Sequence, residues 1–184
     1  DLKSEVNINT KKDLLVYSYQ VAGTVGLMMA KILKVKDQES LKCAIDLGVA
    51  MQLTNIARDV IEDKKKNRAY IKPDFNSISE TISLADLFYQ SAFPAIKNIP
   101  IFSRFAILVA RRIYKRIGYV ILSQKNIETY NNAGKIYVSV LGKVFETFLS
   151  FFDFIQLFFV NSSKQEKQNE HIMLHEEINL DEKI

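Results

Sequence analysis

Helix-breaking residues are scarce in this chain, with only 6 Gly and 3 Pro among 184 residues. A chain of this length with so few turn residues is restricted to long helices rather than many short strands joined by tight turns. No stretch shows sustained apolar–polar alternation and no internal repeat is visible, so the expected fold class is all-α. Length fits one domain. The expected division is a helical domain over residues 1–160, followed by a polar, disordered tail over 161–184.

Composition narrows the chemistry. The single Cys43 excludes a disulfide framework and a multi-cysteine zinc site. Both histidines, His171 and His175, fall in the last fourteen residues, which removes a His-rich metal site from the body. Carboxylates, amides, tyrosines and basic groups remain. Charge is uneven: residues 164–184 hold three Lys and six acidic residues, a net of −3, so the total of +4 leaves +7 on residues 1–163. A basic body suits an anionic partner.

Residues 14–33 form an apolar run of twenty, long enough to span a bilayer, but Tyr17, Ser18, Tyr19, Gln20, Thr24 and Lys31 within it favour a buried helix of a bundle. A polar turn at Lys34–Glu39 precedes a second long helix, Ser40 to Asp63, which ends in Lys64, Lys65 and Lys66 as a helix C-terminus favours. Arg68 to Ser83 reads as a loop containing Pro73. A helical stretch over Leu84–Lys97 is interrupted near Pro94. Ser103–Ile127 and the Phe-rich Leu141–Val160 read as amphipathic helices.

On the second long helix, Gln52, Asn55, Asp59 and Asp63 stand at i, i+3, i+7 and i+11, one stripe. Upstream of it the helix is almost wholly apolar, so these groups need partners if buried. Hard oxygen donors at this spacing suit Mg²⁺, which takes one or two carboxylates together with substrate phosphates and waters. The plain alternative is a solvated face with Asp59 and Asp63 paired to Arg58 or nearby lysines. The amides Gln52 and Asn55 favour the first reading, since they have little purpose on a solvated surface.

The two segments Tyr17-Ser18-Tyr19-Gln20-Val21-Ala22-Gly23-Thr24-Val25-Gly26 and Leu47 to Asp63, with its core Gln52-Leu53-Thr54-Asn55-Ile56-Ala57-Arg58-Asp59, closely resemble the two signatures of the squalene/phytoene synthase family. Arg68-x-Tyr70, Tyr114-x-x-Ile117-Gly118 and Lys143 extend the resemblance, which runs from about Asp13 to Lys143 and is nearest to the bacterial, phytoene-forming branch. It implies an isoprenoid-synthase-type helical bundle, a prenyltransferase of carotenoid biosynthesis that condenses two geranylgeranyl diphosphates head to head into phytoene. Mg²⁺, with Mn²⁺ as an alternative, would be the cofactor, and no nicotinamide is expected. By the same resemblance Asn55, Asp59 and Asp63 serve the metals, while Gln52 and Arg58 contact diphosphate or its metal shell. Tyr17 sits by the reacting carbons, Arg68 grips phosphate, and Val21, Ala22, Val25 and Gly26 line the isoprenoid tail. Ala22, Gly23 and Gly26 fit either room for that tail or close helix packing, at about 1 kcal/mol of helix propensity per Gly.

Three departures from the family qualify these expectations. A first Asp-rich motif has no counterpart in residues 1–16, Tyr70-Ile71-Lys72-Pro73 carries an extra residue, and the connection from Pro73 to Asp86 is short. The expectation is a fragment, or a half that needs a partner chain, inactive alone. The alternatives are a squalene- or presqualene-forming relative using farnesyl diphosphate, and a non-catalytic member acting in assembly or binding. The expected location is the cytoplasm, peripheral to the inner face of the membrane, where the phenylalanines of the last helix either meet lipid or pack on protein. The arginines of Ser103–Arg116 lack the interleaved aromatics of a single-strand binder. They read as a solvated or lipid-facing stripe, with no nucleic acid as partner.

Overall fold

The computed structural model describes residues 6–8, 10–160 and 168–179; the expectations placed on the first five residues and on 161–167 lie outside them. The fold is all-α. Helices α1 (Lys11–Ser18) and α2 (Thr24–Ile32) form one rod through a π-helical turn at Tyr19–Gly23. Then come α3 (Gln38–Lys65), α4 (Phe75–Ala92), a 3₁₀ turn at Pro94–Asn98, α5 (Ile101–Leu122), the short α6 (Ile127–Asn132), α7 (Val140–Gln156) and α8 (Asn169–Glu177). Two dipeptides, β1 (Val6–Asn7) and β2 (Arg68–Ala69), pair in parallel, and the Ile8 amide continues the ladder to the Ala69 carbonyl at 2.9 Å. No helix among the described residues is long and apolar enough to cross a membrane.

The central element is α3. Ile45, Val49, Leu53 and Ile56 on it are essentially inaccessible and pack with Leu15, Phe88 and Tyr89. A second core joins Ala57 and Val60 to Ile78 and Ile82 of α4, Ile117 and Ile121 of α5, and Tyr130 of α6. The rod α1–α2 crosses α3 at glycines. A Cβ on Gly26 would collide with the Ala44 carbonyl, and one on Gly48 with the Ala22 carbonyl. Close packing therefore accounts for the absence of a side chain at Gly26 and Gly48.

Other expectations change too. The loop drawn over Arg68–Ser83 is helical from Phe75, because the Asp74 carboxylate caps α4 by accepting from the Ser77 amide at 2.8 Å. The 14–33 helix is buried on one side only: Val25, Met28 and Ile32 are exposed. Within the stretch read as a tail, residues 169–177 are helical, and His171, Leu174 and the following Ile178 are buried, the two aliphatic residues in the first core. Finally, the arginine stripe is not solvated throughout. Arg111 is buried, its Nε and Nη2 donating to the Tyr89 carbonyl, and Arg112 chelates Asp153 of α7 through two bonds of 2.7 Å.

Candidate functional site

Along α3 the stripe of Gln52, Asn55, Asp59 and Asp63 lies on one face, all four half-buried. Its first two members border a cavity of about 360 Å³ between the α1–α2 rod, α3 and α5. Val21, Ala22, Val25, Gly26 and Met29 line it, as does Tyr114 of α5. The wall is almost wholly hydrocarbon. Asn55 Oδ1 is buried and has no hydrogen-bond partner among the described residues, an unmet acceptor at the polar edge of an apolar space.

Asp59 and Asp63 stand one and two turns further on. Arg58 donates from Nε and Nη2 to the two Asp59 oxygens at 2.9 and 2.6 Å, and Lys135, from the segment after α6, approaches Asp59 at 3.8 Å and Glu62 at 2.8 Å. The plain pairing allowed by the sequence is thus present, and Arg58 is committed to Asp59. Tyr130 braces the same turn by donating to the Ala57 and Arg58 carbonyls at 2.9 and 2.7 Å. Asp63 differs. Burial, then the neighbouring Asp59 charge, raise its carboxyl above the ordinary range.

Tyr17 is brought to this end by α1. Its hydroxyl donates to the Tyr70 hydroxyl at 3.0 Å, with ring centroids 4.8 Å apart. Burial, then the hydrogen bond to Tyr70, push the Tyr17 phenol up, so it stays protonated. Asp63, Arg68 and Tyr70 share a small crevice with Ile56 and Val60, so Arg68 stands beside the second carboxylate. Lys64, Lys65 and Lys66 are exposed, and Lys66 pairs with Glu62 at 2.7 Å.

Three groups near the site escape a reading of the chain. Tyr70 is Tyr17's partner, Tyr114 walls the cavity, and Lys135 caps Asp59. The first two lie in segments the family resemblance already marks. Nothing local distinguishes Lys135, whose position depends on a contact 76 residues along the chain from Asp59.

The residues fit a divalent cation only in part. Among the described residues no group of three His, Cys, Asp or Glu side chains converges on one point. Two carboxylates a turn apart with an unpartnered amide oxygen a further turn away are nevertheless the donor set Mg²⁺ uses when phosphate and water complete its shell.

An all-α bundle whose central helix sets amides at the edge of an apolar cavity, with carboxylates one and two turns further on, is consistent with an isoprenoid-synthase-type fold. Comparison with known proteins shows what the chain is similar to. Residues 1–75 match the squalene/phytoene synthase family. The chain is 39% identical over 127 residues to a 15-cis-phytoene synthase of a Paracoccus species, covering 59% of this chain and 42% of that protein. It is 36% identical over 135 residues to one from Enterobacter agglomerans (62% and 46%), and 52% identical over 69 residues to a phytoene synthase of Thermus thermophilus (38% and 24%). On these matches the chain is similar to squalene/phytoene synthases over its first 75 residues and to bacterial phytoene synthases over about 60% of its length. It spans less than half the length of these relatives.

Proposed function

We propose that this chain carries the second-aspartate half of a phytoene-forming prenyltransferase, joining two geranylgeranyl diphosphates head to head through a cyclopropyl intermediate with loss of both diphosphates and two protons. The observation that carries the reading is the unmet Asn55 oxygen, set between a hydrocarbon-walled cavity and the Asp59–Asp63 pair. An isoprenoid diphosphate has that same division, a long apolar tail and a multiply charged head.

In this reading Asn55, Asp59 and Asp63 hold Mg²⁺, which when bound offsets the diphosphate charge and favours its departure. Gln52 hydrogen-bonds the head group, and Arg68, beside Asp63, grips phosphate through its planar fork. Arg58 holds Asp59 in place through its two hydrogen bonds, and contacts the diphosphate only by exchanging that pair. Tyr17, held by Tyr70 and protonated, presents a phenol dipole to the reacting carbons. Val21, Ala22 and Val25 offer neither nucleophile nor water-holding group, so a carbocation survives beside them.

One helix supplies only two of the carboxylates. Val25 and Met29, exposed on the cavity wall, are where a second acid-bearing element belongs, whether from the same polypeptide or a partner chain. The protein would act in the cytoplasm, peripheral to the inner face of the membrane, from which so apolar a substrate is drawn.

The test combines this chain with the unmatched part of the Paracoccus relative, geranylgeranyl diphosphate and Mg²⁺, reading products by mass. A C40 hydrocarbon lost in Asp59→Asn supports the reading. Product from farnesyl diphosphate alone moves the chain to the squalene branch, and silence with both substrates makes it a binding or assembly protein.

A further inference from the structure

Helix α7 is inside out. Its charged residues are Lys143, Glu146 and Asp153. Both acids are turned into the bundle, buried with Ser150, whereas Phe145, Phe148, Phe151, Phe152, Phe158 and Phe159 on the helix and its extension point outward, each more than half exposed. The inward acids are fixed by arginines of α5: Arg112 to Asp153 at 2.7 Å and to Glu146 at 3.3 Å, with Arg116 at 4.0 Å from Glu146. An ordinary bundle helix shows the reverse polarity.

The ridge extends past the helix. Helices α5 and α7 run antiparallel, since Leu108 packs with Leu157 while Arg116 reaches back to Glu146. The start of α5 therefore lies by the end of α7, where Phe105 meets Phe154 edge-on, and Phe102 one turn earlier is 97% exposed. Six exposed phenylalanines on one helix and its extension exceed the scattered exposed side chains of a soluble monomer.

Charge identifies the occupant. The outward ridge carries no acid, and its one charged neighbour on α7 is the exposed Lys143. Alongside runs a cavity of about 310 Å³ walled by Arg111, Arg112, Lys115 and Arg116 against Glu146 and Asp153. Asp86, 3.2 Å from Lys115, brings the acids to three against four cations. Gln156 lines this cavity and stands four residues from Phe152 and three from Phe159, so the cationic hollow and the ridge are neighbours on one side of α7. A helix of 17 residues, about 25 Å long, with phenylalanine on one side and cations along its flank, matches an element lying in the plane of a lipid interface.

We propose that α7 is the membrane-contact element of this protein: the phenylalanine ridge enters the interface of an anionic phospholipid bilayer, and the Arg112–Lys115–Arg116 hollow receives a lipid phosphate. This deepens the peripheral placement proposed above. The assay uses no isoprenoid, so its failure leaves the synthase reading intact.

The chain has no tryptophan, so a single one reports its own surroundings. Phe152→Trp is expected to shift its emission to the blue with phosphatidylcholine–phosphatidylglycerol vesicles, less with phosphatidylcholine alone and less at high salt. Met28→Trp, on the exposed side of α2, is expected to stay unchanged. Sedimentation with the same vesicles should weaken by about tenfold or more in Phe148→Ser/Phe152→Ser, whose changes touch only exposed positions. No shift at position 152, or equal sedimentation of the double variant, overturns the proposal. So does a doubled mass in lipid-free solution that the double variant abolishes, which gives the ridge to a second copy of the chain.

Discussion

Asp63 occupies a poor place for a carboxylate. It is half-buried, and its pKa is raised by burial and by Asp59. A folded-state pKa above the unfolded value means that ionisation weakens the fold: the carboxyl's contribution is intact in acid and lost as pH rises through the raised pKa. Asp63→Asn is therefore expected to raise the melting temperature at neutral pH, to leave it unchanged in acid, and to abolish Mg²⁺-dependent product formation. Thermal scans at two pH values, beside the product assay, check it. A lower melting temperature at neutral pH would make Asp63 a structural residue. At this scale the stripe itself was legible, because the 3.6-residue period carries Gln52, Asn55, Asp59 and Asp63 to one face whatever surrounds the helix. The partners were not. Tyr70 for Tyr17 and Lys135 for Asp59 depend on contacts 53 and 76 residues apart, which no local pattern encodes.

Elements were legible where periodicity is strong and obscure where a cap decides. The α3 and α5 cores were readable from apolar spacing. The start of α4 was not, because its first turn is polar and it forms through the Asp74 cap. For α7 the amphipathic pattern was plain, yet which side faces the bundle was not, since phenylalanine normally points inward. The arginines of α5 reverse it by offering Glu146 and Asp153 buried partners. Removing one member of such a set leaves uncompensated charge. Asp153→Ala is expected to cost about 3 kcal/mol, the low end for a buried pair because Arg112 keeps Glu146. That lowers the melting temperature by roughly 10 °C, whereas Phe148→Ser, at an exposed position, is expected to stay within about 0.5 kcal/mol of the parent. Equal effects would mean that α7 is packed through its phenylalanines instead.

For the whole molecule, the chain's last described element closes the first core. Leu174 is inaccessible, Ile178 is 5% exposed, and His171, held neutral by burial, packs its ring 4.4 Å from that of Phe88 and lies 3.6 Å from the Asp46 carboxylate. Deleting residues 168–184 is expected to destabilise the bundle by about 3 kcal/mol or more, from the two aliphatic side chains alone. Urea unfolding measures it, and an unchanged midpoint would return the segment to a dispensable tail. Its polar composition hid this role, because three well-spaced buried residues are enough to dock a short helix once a groove exists.

By itself, the sequence determined that the chain is helical, that α3 carries amides and carboxylates on one face, and that the flanking helix is too apolar and too small in side chain to stand alone. Those properties are local, set by backbone propensity, by the helical period and by the residue types at fixed spacing. Only the tertiary structure decided that Gly26 and Gly48 serve a helix crossing, that Arg58 and Lys135 converge on Asp59, and that the phenylalanines of α7 face outward. Each of these turns on which surfaces meet. That follows from the balance of buried charge, steric fit and apolar area across segments far apart in the chain, and no single segment records it.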